Sequence, residues 1–134
     1  HHGLKPGDAI TNQQLQEIFQ CSSQGGMRRA LRTNSLVLIS DHTKTNYHDR
    51  WQNGYFHYTG MGLQGDQSLT FAQNKTLAQS RTNGVRTFLF EVFIKGKYTF
   101  IGEVELTGEP YQENQAGRDG QLRKVWIFPL QVVT

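Results

Sequence analysis

Gly54-Tyr55-Phe56-His57-Tyr58-Thr59-Gly60-Met61-Gly62-Leu63-Gln64-Gly65-Asp66-Gln67 is the stretch from which the fold is read. It opens as an aromatic strand, Tyr55 to Tyr58, and breaks into a loop carrying Gly60, Gly62 and Gly65. Glycine lets a backbone take positive φ or approach a ligand closely, so this spacing describes a shaped loop. Aromatic faces beside a permissive backbone suit a site that holds a flat ring and reads its polar edge. The same letters also fit a core strand followed by an ordinary turn, and the local pattern taken alone favours that reading.

Working outward, Leu36-Val37-Leu38-Ile39 is a continuous apolar run of strand length, followed by a polar loop from Ser40 to Asn53. Before it, Ile10-Thr11-Asn12-Gln13-Gln14-Leu15 has a helix-start pattern. Thr11 is the cap, Gln14 completes a capping box and Ile10 staples onto Leu15. The spacing predicts a helix over 12–20. Gly25 to Thr33 reads as a loop holding Arg28, Arg29 and Arg32, the densest positive charge in the chain. Downstream, a helix is predicted over 71–80, burying Phe71, Leu77 and Ala78. Val85–Ile94 and Tyr98–Leu106 pair as a hairpin through Lys95-Gly96-Lys97. Tyr98, Phe100, Val104 and Leu106 share one face at period two. Glu109–Gln121 reads as a long loop and Arg123–Val132 as the last strand, with Pro129 at an edge or bulge. The pattern is an α+β domain, a curved, mostly antiparallel sheet with two short helices.

At 134 residues the chain is one domain, with residues 1–6 a tag remnant or leader and 7–134 the folded unit. The abrupt ending suggests a domain cut from a longer protein. Hydrophobic residues make up 36%, which predicts much solvated backbone. A net charge of +3 and a pI near 9.2 permit nucleic-acid binding without requiring it. The single Cys21 excludes an internal disulfide and suits a reducing, cytoplasmic setting. No apolar run approaches the length of a membrane span. His42, His48 and His57 lack metal-ligand spacing, and neither a nucleophile elbow nor an HNH-type motif is present. No catalytic residue, metal or cofactor is therefore assigned. The chain is read as a binding domain rather than an enzyme.

Tyr58-Thr59-Gly60-x-Gly62, then Asp66-Gln67, then Asn74-Lys75 with Leu77-Ala78, together resemble the signature of SRA domains, readers of modified cytosine. Ser35-Leu36-Val37-Leu38 and Val125-Trp126-Ile127-Phe128 resemble two further strands of that family. The likeness covers about residues 7–132 and is strongest to the SRA domains of McrA-like, HNH-type modification-dependent restriction endonucleases. It implies a barrel-like closure of the sheet and a prokaryotic source. The implied partners are double-stranded DNA containing modified cytosine and a fused nuclease domain. The resemblance also implies a pocket for a flipped base built from His42, Asp49, Tyr58 and Thr59, with Trp51 as a substitute stacking ring. His42 stands where the family has an aromatic, and Asp49 lies at the spacing of its base-reading carboxylate. Arg28, Arg29, Arg32 and Lys75 are the expected backbone contacts. The family's long finger is absent here, so Met61, Leu63 or Gln64 is the expected wedge. A reader of another nucleic-acid modification, such as a modified adenine or an RNA base, and a small-ligand-binding or enzyme domain using the same aromatic loop stay open as alternatives.

Overall fold

A computed structural model describes residues 2–133; His1 of the leader and Thr134 lie outside the described residues. Among the described residues are strands β1 (Ala9–Ile10), β2 (Met27–Ala30), β3 (Ser35–Asp41), β4 (Arg50–Gln52) and β5 (Tyr55–Thr59). The remaining strands are β6 (Arg86–Ile94), β7 (Lys97–Leu106), β8 (Tyr111–Ala116) and β9 (Leu122–Val132). Two helices, α1 (Asn12–Phe19) and α2 (Gln73–Ala78), complete the α+β domain.

The predicted capping box opens α1: Gln14 N–H donates to Thr11 Oγ1 at 3.1 Å and Thr11 N–H to Gln14 Oε1 at 2.9 Å. Gln20, left-handed at φ 59°, ends it. The sheet runs β2-β3-β6-β7-β9-β5-β4, with β1 added to β7 and β8 to β9. Among the described residues only β3 and β6 pair in parallel. These two strands are covered on both faces, which is why β3 reads as an unbroken apolar run. Leu36 and Leu38 enter a core with Phe56, Leu89 and Phe128, while Val37 and Ile39 enter a second core with Leu15, Phe19, Phe88 and Phe90.

The ladder stays open between β2 and β4, and side chains span the gap instead. Trp51 Nε1 donates to Glu91 Oε1 at 3.1 Å, and Ser40 Oγ to Asp49 Oδ2 at 2.7 Å. The Tyr58 hydroxyl lies 2.8 Å from Gly26 O and 3.2 Å from Ile39 O. These bonds hold the sheet's two ends together around the first core.

Several elements differ from the sequence reading. The arginine-rich loop contains β2, the 40–53 loop contains β4, and the 109–121 loop contains β8. Each is short or polar, so its hydrophobic period is weak, and ladder partners alone make it a strand. β7 does not keep one apolar face. A register shift between Leu89 and Phe90 sends Phe100 to the second core and Val104 and Leu106 to the first. Pro129 lies inside β9, paired with His57, where the strand's other edge changes partner from β8 to β7. Its missing N–H falls in that changeover. Phe71 precedes α2 and is 52% exposed instead of buried. The leader does not stand clear of the domain: the His2 ring packs 5.1 Å from both Phe88 and Phe100.

Candidate nucleic-acid site

Where the ends of β3 and β5 meet the loop before β4, the surface opens into a cavity of about 1230 Å³. Asp49, Tyr58 and Thr59 line it together, with His42, Tyr47 and Gln115. The Asp49 carboxylate is fixed from two sides. Thr59 N–H donates to Oδ1 at 2.8 Å, and Ser40 Oγ donates to Oδ2 at 2.7 Å. Each oxygen keeps lone-pair capacity beyond these bonds. Burial pushes the carboxyl's pKa above the ordinary value, against the opposing pull of the Ser40 and Thr59 hydrogen bonds.

Tyr58 is 3% exposed, and burial raises its phenol well above the usual range, so it stays a neutral donor. It therefore performs two tasks, lining the cavity and tying β5 to the chain around Gly26 and to β3. Thr59 is held in turn by Gln115, whose Nε2 donates to Thr59 Oγ1 at 3.1 Å. Gln115 Oε1 accepts the His48 N–H at 3.1 Å, and Nε2 also reaches Glu113 Oε2 at 2.8 Å. Arg50 then grips Glu113 with a two-pronged pair at 2.9 and 2.7 Å. Burial alone would raise the Glu113 pKa, but the Arg50 and Gln115 hydrogen bonds outweigh it and leave it lowered. β8 thus braces the loop that carries Asp49.

The glycine loop is clamped from below. Gln67 Nε2 donates to Gly60 O at 2.6 Å and Gly62 O at 3.1 Å, while its Oε1 accepts the Trp126 N–H at 2.9 Å. Asn74, fully buried, accepts from Met61 N–H at 2.7 Å and donates to Met61 O and Ser68 O, both at 3.0 Å. Gly60 is required here, since a Cβ would sit 2.7 Å from Asn74 Oδ1. Arg123 Nη1 donates to Gly62 O at 2.5 Å and Gly65 O at 3.0 Å, locking the same turn onto β9.

The other expected site residues are distributed unevenly. His42 lies at the cavity wall, with Nε2 2.7 Å from Glu91 Oε2 and its ring stacked on Phe93 at 4.9 Å and 10°. Trp51 is outside the cavity lining, bonded to Glu91 and packed edge-on against Phe56. Arg28 lines the cavity, yet its guanidinium is buried and occupied by Asn12 Oδ1 at 2.6 Å, Gly25 O at 2.8 Å and Ser22 O at 3.3 Å. It holds the loop before β2 rather than presenting a free fork to a phosphate. Arg29 is likewise occupied by Ser35 O and Asn34 Oδ1, at 2.9 and 2.8 Å. Arg32 is exposed at the β2–β3 turn, the end of that hairpin away from the cavity. Met61 and Leu63 line the cavity, Gln64 faces a smaller neighbouring one of about 420 Å³, and Lys75 is exposed on α2.

Tyr47, Gln115 and Arg123 were not singled out in the sequence. Tyr47 lies in a polar loop with no periodicity, and Gln115 and Arg123 acquire roles only through β8 and β9. Burial raises the Tyr47 phenol, with the Gly62 backbone pulling the other way. Among the described residues no His, Cys, Asp or Glu group is placed to hold a metal, and no helix is long and apolar enough to cross a membrane.

The fold has close counterparts among solved structures. One is the sulfur-binding domain and SRA domain of ScoMcrA complexed with phosphorothioated DNA (TM-score 0.78, 19% identity, covering 97% of this chain and 40% of that one). Another is the type IV phosphorothioation-dependent restriction endonuclease ScoMcrA itself (0.77, 19%, 97% and 28%). A third is the SUVH5 SRA domain in complex with fully methylated CG DNA (0.70, 22%, 98% and 90%). This chain thus spans well under half the length of the two ScoMcrA chains. No curated protein matches it in sequence. The family described as ScoMcrA-like, SRA domain, matches residues 6–134, so nearly the whole chain is accounted for and it belongs to that family of SRA domains.

Proposed function

We propose that this domain binds modified double-stranded DNA and takes an extruded, 5-substituted cytosine into the cavity beside Asp49. On this reading it is the targeting half of a longer HNH-type, modification-dependent restriction endonuclease acting in a prokaryotic cytoplasm. The observation that carries the proposal is the Asp49 carboxylate, held in place by Thr59 and Ser40 on the wall of a cavity that Tyr47 and Tyr58 also line. Cytosine presents an exocyclic amine, and a pre-oriented acceptor reads that donor without reorganising. The half-buried Tyr47 ring beside it supplies flat apolar surface for the base, with the buried Tyr58 behind the wall. That SRA relatives were solved with methylated CG DNA and with phosphorothioated DNA supports modified DNA as the partner class.

A modified purine is the second reading. The cavity, about 1230 Å³, exceeds the roughly 300–1,000 Å³ usual for small-molecule sites and leaves room for a larger base. A duplex panel carrying cytosine, 5-methylcytosine, 5-hydroxymethylcytosine, a methylated adenine or a backbone phosphorothioate tests both. Preference for a 5-substituted cytosine, with a changed emission from a fluorescent cytosine analogue at that position, is the expected result. Preference for the adenine duplex favours the second reading. Equal binding to all five removes both.

A further inference from the structure

The β6–β7 hairpin ends in a feature the base pocket does not use. Ile94 pairs with Lys97, leaving Lys95-Gly96 as a two-residue turn with Gly96 at φ +85°. A turn this tight presents its flanking side chains rigidly. Phe93 and Ile94 stand there 60% and 64% exposed, although a solvated hairpin end has no need of an aromatic and a β-branched residue side by side. Lys95 and Lys97 are exposed beside them, and among the described residues neither makes an ion pair.

Two independent contacts tie this tip to the cavity. His42 N–H donates to Val92 O at 2.8 Å and the His42 ring stacks on Phe93, so the strand end forms the outer side of the cavity's His42 wall. Tyr98, at the start of β7, itself lines the cavity. Lys44, a further exposed cation at the cavity rim, follows His42 closely. Of the acids nearby, buried Glu91 is bonded to His42 and Trp51, and Asp41, whose Oδ1 accepts from Thr43 N–H and Oγ1 at 3.0 and 2.6 Å, is outnumbered by the exposed Lys44, Lys95 and Lys97. The mouth of the cavity is therefore flanked by apolar surface set among cations.

We infer that the β6–β7 tip is a second DNA-contacting element, with Phe93 and Ile94 packing on the nucleotide flanking the extruded one and Lys95 and Lys97 meeting its phosphates. This rests on the proposal that the cavity takes a base from modified DNA. The charge favours DNA over an apolar protein partner, because lysines around an aromatic wedge match a polyanion with stackable bases. Ile94 is 64% exposed and is not among the residues lining the cavity, so its replacement is expected to leave the pocket intact.

The test uses the whole chain with three variants, Ile94→Ser, Phe93→Ser with Ile94→Ser, and Lys95→Gln with Lys97→Gln. Binding to modified and plain duplexes is measured across a salt series, with sedimentation and melting temperature on the same preparations. Ile94→Ser and the double serine variant are expected to weaken modified-DNA binding, the latter by roughly fivefold or more, with the salt slope unchanged. The lysine variant is expected to weaken both duplexes alike and to flatten the slope by about one unit per lost phosphate contact. Wild-type affinity in all three variants, while Asp49→Asn still abolishes the modified-base preference, overturns the hairpin inference and leaves the pocket standing. A serine effect confined to self-association overturns it too, by assigning the patch to a second copy. A wild-type chain with no preference for any modified duplex removes the pocket reading and this inference together.

Discussion

Asp49 is one carboxylate with two opposed consequences. As an acceptor aimed into the cavity it serves recognition, and as a charge removed from water it costs stability. Asp49→Asn keeps the shape: Oδ1 can still accept from Thr59 N–H, and the amide can donate to Ser40 Oγ. The variant is expected to fold at least as stably as wild type at neutral pH while losing about 1–3 kcal/mol of modified-base binding. Melting and titration on one preparation check this, and a variant retaining full preference would remove Asp49 from the reading edge. Tyr58 shows the converse. Its hydroxyl is buried against two carbonyls, so Tyr58→Phe keeps the ring but loses that tie. A stability loss of about 1–2 kcal/mol is expected, with base preference retained in the folded fraction. Tyr58→Ala should lose both.

Among elements, the glycine loop depends on groups distant in sequence. Gln67 satisfies Gly60 O, Gly62 O and Trp126 N–H with one amide, and Asn74 closes Met61 from α2. The loop is consequently a braced shelf, and its glycines answer to packing as much as to backbone freedom. Gly60→Ala places a methyl 2.7 Å from Asn74 Oδ1 and 3.1 Å from Phe128 Cε1, so the clamp must open. A cost of about 1–3 kcal/mol is expected, with hydrogen exchange accelerating at Met61 and the following residues. If exchange there is unchanged, the clamp does not control the loop. Arg28 braces the loop before β2 in the same way. Arg28→Ala should lower the melting temperature, because Asn12, Ser22 and Gly25 lose their partner, and should leave the salt slope of DNA binding unaltered.

For the molecule as a whole, acid and neutral pH pull on different groups. Glu113 and Glu103, paired with Arg50 and Arg86, have lowered pKa values. Their stabilisation is present above the ordinary glutamate pKa and is lost as pH falls through the folded values. Asp49 runs the other way. Its raised pKa means that the folded state holds the proton longer, so its contribution is full below the ordinary aspartate pKa and is lost as pH rises through the folded value. The melting-temperature advantage of Asp49→Asn over wild type should accordingly grow as pH rises above the ordinary aspartate pKa. A gap that is constant with pH would mean that Asp49 is not desolvated in the folded state.

Local pattern was enough to determine the elements with strong periodicity and defined ends. The Thr11–Gln14 capping box, the doubly buried β3 run, the β6–β7 hairpin and the ordered SRA-like motifs are all readable from neighbours a few residues apart. That order was sufficient to place the chain in its family. Tertiary structure decided the rest. β8 exists because β9 supplies its ladder, and β7 changes faces because of a bulge that leaves no trace in its alternation. Arg28 and Arg29 look like free cations in the sequence, but the carbonyls and amides that occupy them are brought close only by folding. Tyr47 and Gln115 reach the cavity because loop closure and β8 carry them there. A side chain's local periodicity reports which face it occupies, whereas its partners and its burial are set by strands distant along the chain.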